Sequence, residues 1–516
     1  MLTRFKHLWS DKFVRGTFIL TVGTFLASAF NYLVHPILSR YLSVGAYGDF
    51  QALLSFIAIL GILTAVVKTA LTRETALLTD SPEELSRLHR RAAGRLSLLG
   101  LVLVILILIF SRSLSVLLNI SLPEILPIAA LCFIYVFPLT VNRAILTGLQ
   151  AFAPLAWLGL YESAFRLVLA AVLVAGLAGG LLGAAWSLAG TSLLAFVISF
   201  YYIRRAFTAL GRRKADDSLG EKTVAGQSIA ADQNTSVLPF GAPGLEGVQA
   251  DTQAGVQADS RIDVRVNDSA EIKNKISRTG VWTPYALLVL WFTGLSQFFY
   301  NFDMLFVKAS FTPEEAGFYG SLLTVGRIIY FVGGAVPTVM FPVLAGLKDD
   351  RTRRRFKVLL KSLGLMALLT IPALLVIVFW PEFMIKIVVG GKYLSAAPYL
   401  PLFALAILLL TLMNVLAQYF LALARRRGLL IMTLGAIAEV LVLIFIPFDF
   451  RQVIISLVAV FGLVDLILLI KLFQERQGAG AGEKNINGSG IIKEEIIKEE
   501  IVSEVIKSEV VKKETL

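Results

Sequence analysis

Charge, cysteine and histidine are all scarce in this chain, and each scarcity excludes something. Only 16% of its 516 residues are Asp, Glu, Lys or Arg, where a soluble domain carries about a quarter. With 57% hydrophobic residues and a mean hydropathy of +0.76, lipid rather than water is the solvent for most of the sequence. The single cysteine, Cys132, sits in an apolar run, which excludes an intrachain disulfide framework and a cysteine metal site. The three histidines, His7, His35 and His89, are far apart, so no His-rich metal site is expected and no cofactor is implied. No GxxxxGK[ST] occurs. The GGK at residues 390–392 is followed by Tyr393, so the chain does not itself hydrolyse nucleotides.

What charge there is has one prevailing sign, net +12 with a pI near 9.6. It lies in short clusters between apolar runs, which points to anionic lipid surfaces and not to nucleic acid. Residues 1–15 are basic, but the apolar stretch behind them is of full spanning length and lacks a small-residue cleavage site. It reads as a retained first helix, not a removed signal peptide.

Runs able to cross a hydrocarbon core at about 20 residues each fall near 14–38, 47–67, 95–119, 124–147, 153–177, 180–203, 283–307, 317–341, 359–380, 397–423, 428–447 and 452–473. The basic residues test that count independently, since cytoplasmic loops are enriched in Lys and Arg. Every second connection is basic: Lys68 to Arg95, then Arg143, then Arg204 and Arg205, then Lys348 to Lys361, then Arg425 to Arg427. The intervening connections hold few: Arg40, Arg112, none, Lys308, then Lys386 and Lys392, then Arg451. Both termini are therefore expected in the cytoplasm of a multi-pass inner-membrane protein.

Residues 209–277, rich in Ala, Gly, Asp, Gln, Ser and Val with GVQAD repeated at 247–251 and 255–259, read as a disordered cytoplasmic linker. It separates an N-terminal six-helix bundle, 1–208, from a C-terminal one, 278–476. A charged low-complexity tail, 477–516, follows, with Ile/Val pairs between Lys and Glu, and a solvated extension is its default reading. The halves resemble each other. LSVGAYGDFQALLS at 42–55 aligns with FTPEEAGFYGSLLT at 311–324, matching Gly48 to Gly317, Phe50 to Tyr319 and Ser55 to Thr324. Six crossings apart, such repeats share one orientation and are related by a pseudo-two-fold axis along the membrane normal. The fold expected is all-α and integral to the membrane, with about twelve spans in two bundles.

Four segments carry a resemblance to a known family: SRYLSVGAYGDF at 39–50, NRAILTGLQ at 142–150, NFDMLFVKASFTPEEAGFY at 301–319 and, more weakly, VVGGKYLSAA at 388–397. In this order and spacing they resemble the Wzx-like polysaccharide flippases of the multidrug/oligosaccharidyl-lipid/polysaccharide (MOP) exporter superfamily, relatives of the MATE transporters. The resemblance implies flipping of an undecaprenyl-diphosphate-linked oligosaccharide from the cytoplasmic to the outer leaflet for cell-surface polysaccharide biosynthesis, by alternating access. The implied partners are membrane lipid and the polyprenyl-diphosphate glycan, with other polysaccharide assembly proteins a further candidate class. The linker and tail depart from the compact family pattern.

Such a substrate needs cations and amides at membrane depth, where ionisable groups cost roughly 2.5 to 3.5 kcal/mol each on insertion scales. Glu162 and Arg166, four apart, share a helical face. They read either as a couple that neutralises itself for insertion or as an Arg released to a phosphate. Arg327 has no carboxylate three or four residues away and is the strongest single candidate for diphosphate contact. Asn31 with His35, and Gln297 with Asn301, make polar stripes on the first helix of each half, facing a cavity or bonding packed helices. Glu439 and Asp465 read as proton or sodium coupling sites or as buried neutral acids. Asp303, Arg40 and Lys308 fall near the outer interface as anchors. Pro36, Pro138, Pro337 and Pro372 mark helix kinks.

Two other readings stand beside the flippase. An ion-coupled multidrug exporter of the same superfamily would favour an acidic cavity for cationic drugs. A glycan polymerase or ligase would be expected to present a sizeable outer loop, and every such loop here is short.

Overall fold

The computed structural model describes residues 12–79, 81–233, 284–345, 352–423, 425–445 and 449–474. The tail 477–516 and the part of the expected linker beyond Gln233 lie outside the described residues. The described chain is helical: α1 Lys12–Tyr41, α2 Val44–Leu60, α3 Ile62–Leu77, α4 Pro82–Leu117, α5 Ile125–Ala130, α6 Cys132–Gly148, α7 Phe152–Ala170 and α8 Gly180–Gln233. Then follow α9 Pro284–Ser310, α10 Pro313–Gly333, α11 Ala335–Ala345, α12 Thr352–Phe379, α13 Pro381–Val388, α14 Leu400–Ala422, α15 Arg426–Phe445 and α16 Phe450–Gln474.

Among the described residues, ten stretches are long and apolar enough to cross a membrane, and they coincide with ten of the twelve expected runs. The other two runs are α1 and α9, 30 and 27 residues long, or about 40 Å at 1.5 Å per residue. This is an all-α integral membrane protein. Apolar side chains pointing outward confirm the solvent. Val102, Ile105 and Ile109 on α4 and Leu365, Leu368 and Phe379 on α12 are exposed, as only a lipid-facing surface tolerates. Where a linker was expected from 209, the helix continues to Gln233.

Local sequence sets several helix starts. Ser43 caps α2 by accepting a hydrogen bond from the Ala46 amide at 3.2 Å. Thr312 and Glu315 form a reciprocal capping box around Pro313, the first residue of α10. Pro36, Pro138 and Pro372 lie inside α1, α6 and α12, and the last turn of α7 widens into a π-helix, Ala171–Gly176.

Among the described residues, one compact unit holds those up to Val325 together with Glu382–Ala397. In it α1 packs along α7, α6 contacts α3, α4 and α8, and α9 lies on α2 and α3. Its core gathers Leu85, Val141, Ile145 and Ile203 in one cluster and Val104, Ile107, Phe133 and Phe137 in another. The second unit holds Gly326–Pro381 and the described residues from Pro398 on. There α14 is the buried centre, touching α11, α12 and α15 through residues such as Phe403, Leu410 and Phe420.

Residues that the internal repeat pairs are found in contact. A Cβ on Gly48 would lie 2.7 Å from the Gly317 amide nitrogen, and one on Gly320 2.9 Å from Gln51 Cγ, its own repeat partner. Positions beside a two-fold axis meet their mates in this way.

Candidate substrate path

In the first unit, α1, α6 and α7 bring four polar side chains together. Arg166 donates from Nη1 to Asn31 Oδ1 at 3.0 Å and from Nη2 to Glu162 Oε1 at 3.4 Å. Arg143 forms an ion pair with the other oxygen of Glu162. The three charged side chains keep 19–30% of their surface accessible, so they are neither sealed in a core nor free in solvent. The i to i+4 spacing on α7 predicted the Glu162–Arg166 couple, but not its third member. Arg143 sits on α6 inside what the charge pattern reads as a basic connection, and only tertiary packing carries it to Glu162. Two guanidiniums around one carboxylate leave the cluster one positive charge in excess.

His35 belongs to a different network. Its Nδ1 lies 3.3 Å from both Tyr47 Oη and Gln51 Nε2 on α2. Tyr47 and Gln51 in turn reach Thr324 Oγ1 on α10 at 2.6 and 2.7 Å. Tyr47, Gln51 and Thr324 are buried, so this network ties repeat-related helices together. On α9, Asn301 donates to Gln297 Oε1 at 3.0 Å, one turn back, and is itself buried. The two polar stripes thus differ in use, Asn31 reaching α7, His35 reaching α2 and Asn301 reaching Gln297.

Three of the expected anchors are placed otherwise than the sequence suggested, or more closely held. Lys308 does not reach towards an interface; it is fully buried against Asp49 Oδ1 at 2.6 Å. Asp303 is buried and accepts from Tyr319 Oη at 2.6 Å. Arg40 is exposed, and its Nη2 donates to the Ile387 carbonyl at 2.7 Å. A hydropathy pattern gives depth along a helix but not which side faces a neighbour, so it does not single out Asp49.

Arg327, Glu439 and Asp465 lie in the second unit. Arg327 is half-buried on α10, while Glu439 on α15 and Asp465 on α16 are buried. Neither oxygen of Asp465 has a hydrogen-bond partner among the described residues.

Two family models, each described as polysaccharide biosynthesis protein, match residues 13–225 and 265–398. Over these two stretches, one in each half, the chain is similar to polysaccharide biosynthesis proteins. Solved structures of membrane transporters share its fold. A lipid II flippase, MurJ, in an inward closed conformation superposes with a TM-score of 0.61 at 14% identity, over 88% of this chain and 87% of that one. An inward-facing multidrug MATE transporter gives 0.58 at 12%, over 87% and 96%. The MATE multidrug transporter DinF-BH gives 0.58 at 13%, over 90% and 96%. No curated protein sequence matches. The family descriptions tie the chain to polysaccharide biosynthesis, and the solved flippase and transporter structures share its fold.

Proposed function

We propose that this Wzx-like protein flips an undecaprenyl-diphosphate-linked oligosaccharide from the cytoplasmic to the outer leaflet of the inner membrane, by alternating access, for cell-surface polysaccharide biosynthesis. The observation that carries the reading is the pairing of Arg143 and Arg166 across Glu162, with Asn31 at its edge. A diphosphate offers guanidinium forks bidentate acceptors, and Asn31 offers an amide to sugar hydroxyls. In this reading Glu162 holds both guanidiniums in place between cargoes and gives them up when phosphate oxygens arrive. Arg327 serves as a further phosphate contact, and the amides of Gln297 and Asn301 and the imidazole of His35 line the path. The termini are cytoplasmic, and other polysaccharide assembly proteins supply and receive the cargo.

A cation-coupled drive is favoured by Asp465, whose carboxylate is buried without a hydrogen-bond partner among the described residues. We assign it, with Glu439, to proton or sodium coupling. The excess positive charge at Arg143, Glu162 and Arg166 speaks against a cationic drug as cargo. The deciding assay uses proteoliposomes holding either a labelled polyprenyl-diphosphate glycan or a cationic dye. Movement of the lipid-linked glycan is expected, and dye export without it would replace this reading with that of a drug exporter.

A further inference from the structure

At the end of the first unit that carries the α1–α2, α4–α5 and α9–α10 connections, side chains from both repeats pack together, and the two repeat-related corners are built differently. At one corner Asp49 of α2 meets Lys308 in the last turn of α9 at 2.6 Å, and neither side chain has any accessible surface. Ser121, from the α4–α5 connection, donates its hydroxyl and its backbone amide to the other carboxylate oxygen. The ammonium has no hydrogen-bond acceptor beyond that carboxylate among the described residues. The repeat alignment maps Asp49 onto Phe318 and, extended three residues back at the same offset, Lys308 onto Ser39. At that second corner Phe318 packs edge-on to the buried ring of Tyr393, with centroids 6.5 Å apart, and Tyr393 Oη donates to the Ser39 carbonyl at 3.2 Å. One corner is ionic, the other aromatic.

A sealed ion pair is a poor choice for permanent closure. Both ions lose their hydration when it forms, so an apolar pair of similar volume holds an interface as tightly or more tightly. The same loss is recovered when the interface opens and water returns. We propose that Asp49 and Lys308 form a releasable closure: the pair fixes the register of α2 against α9 in the closed state, and rehydration of both ions keeps that state from being too stable to reopen. The aromatic corner closes without this release. Placing the closure at the outer face rests on the orientation proposed above.

The test uses the full chain with Cys132→Ala and a reporter cysteine at Ser39, which is buried at this end. Its reaction with an impermeant thiol reagent is timed in right-side-out and inside-out vesicles. Asp49→Leu with Lys308→Met is expected to slow labelling about tenfold or more and to slow glycan movement with it. Asp49→Asn alone, which leaves a buried ammonium without its counter-ion, is expected to speed labelling. The reversed pair, Asp49→Lys with Lys308→Asp, should restore labelling towards the native rate. Monodisperse elution of each variant separates these shifts from misfolding. Native labelling and transport in the apolar pair would overturn the proposal, as would unchanged labelling in Asp49→Asn. Labelling only in inside-out vesicles would overturn the orientation instead, and the ratios between variants would still decide the closure.

Discussion

Arg166 makes the strongest residue-scale case because its two terminal nitrogens serve different partners, Asn31 and Glu162. A lysine keeps the charge but cannot span both. Hydrogen bonds to charged groups are worth about 1.5–3 kcal/mol, so Arg166→Ala should lower glycan movement in proteoliposomes by roughly tenfold or more, with Arg166→Lys between it and the native rate. Arg143→Ala is expected to behave alike, since it leaves Glu162 to neutralise Arg166 alone. Native rates in both alanine variants would remove the cluster from the substrate path. Arg327, on the second unit, receives the same pair of substitutions. Arg327→Ala is expected nearly to abolish movement and Arg327→Lys to impair it, at equal membrane abundance. An Arg327→Ala variant that falls in abundance while its rate per molecule holds would mark a structural role.

At the scale of elements, the α2–α10 crossing sets the tolerance of the fold. A methyl at Gly48 would meet backbone atoms of Ala316 and Gly317 at under 3 Å, and backbone cannot swing aside as a side-chain tip does. Gly48→Ala should therefore cost about 1–3 kcal/mol, read as a lowered unfolding temperature in detergent. Gly94→Ala on α4, where nothing lies within 4 Å, should be neutral or stabilising by up to about 1 kcal/mol. Equal shifts in the two variants would remove steric contact as the cause. The matched glycines at 48 and 317 were legible in the sequence because an internal repeat preserves position, and so were the spans, because lipid demands long apolar runs. The couple at Glu162 and Arg166 was legible because four residues make one helical turn. Arg143 and the Asp49–Lys308 pair were not, since 19 and 259 residues separate the partners and no helical period links them. Nor was the docking of Glu382–Ala397 within the first unit. That segment is held by Lys392 donating to the Arg40 and Leu42 carbonyls and by Tyr393 donating to Ser39, contacts to backbone oxygens that leave no mark on residue type.

For the whole molecule, the orientation proposed here rests on charge asymmetry, and charge asymmetry acts during insertion, before any tertiary contact forms. The basic connections alternate with sparse ones along the entire chain, so a single miscounted span would put the basic clusters before it and those after it on opposite sides of the membrane; losing the run at 359–380, for example, would leave Lys348 to Lys361 on the same side as Lys386 and Lys392 but opposite Arg425 to Arg427. The α8 helix, running past Arg204, Arg205, Arg212 and Arg213 to Gln233, extends the basic end of the last span of the first half in one continuous element. A cysteine at Ser218, on that extension, should therefore share its side of the membrane with one at Ser489 in the tail. In a Cys132→Ala background, both are expected to resist an impermeant thiol reagent in intact cells and to react after permeabilisation. Reaction at Ser218 alone before lysis would mean that an odd number of crossings separates the two sites. One of α9 to α16 would then fail to span as assigned, and the six-and-six division of the chain would fall with it.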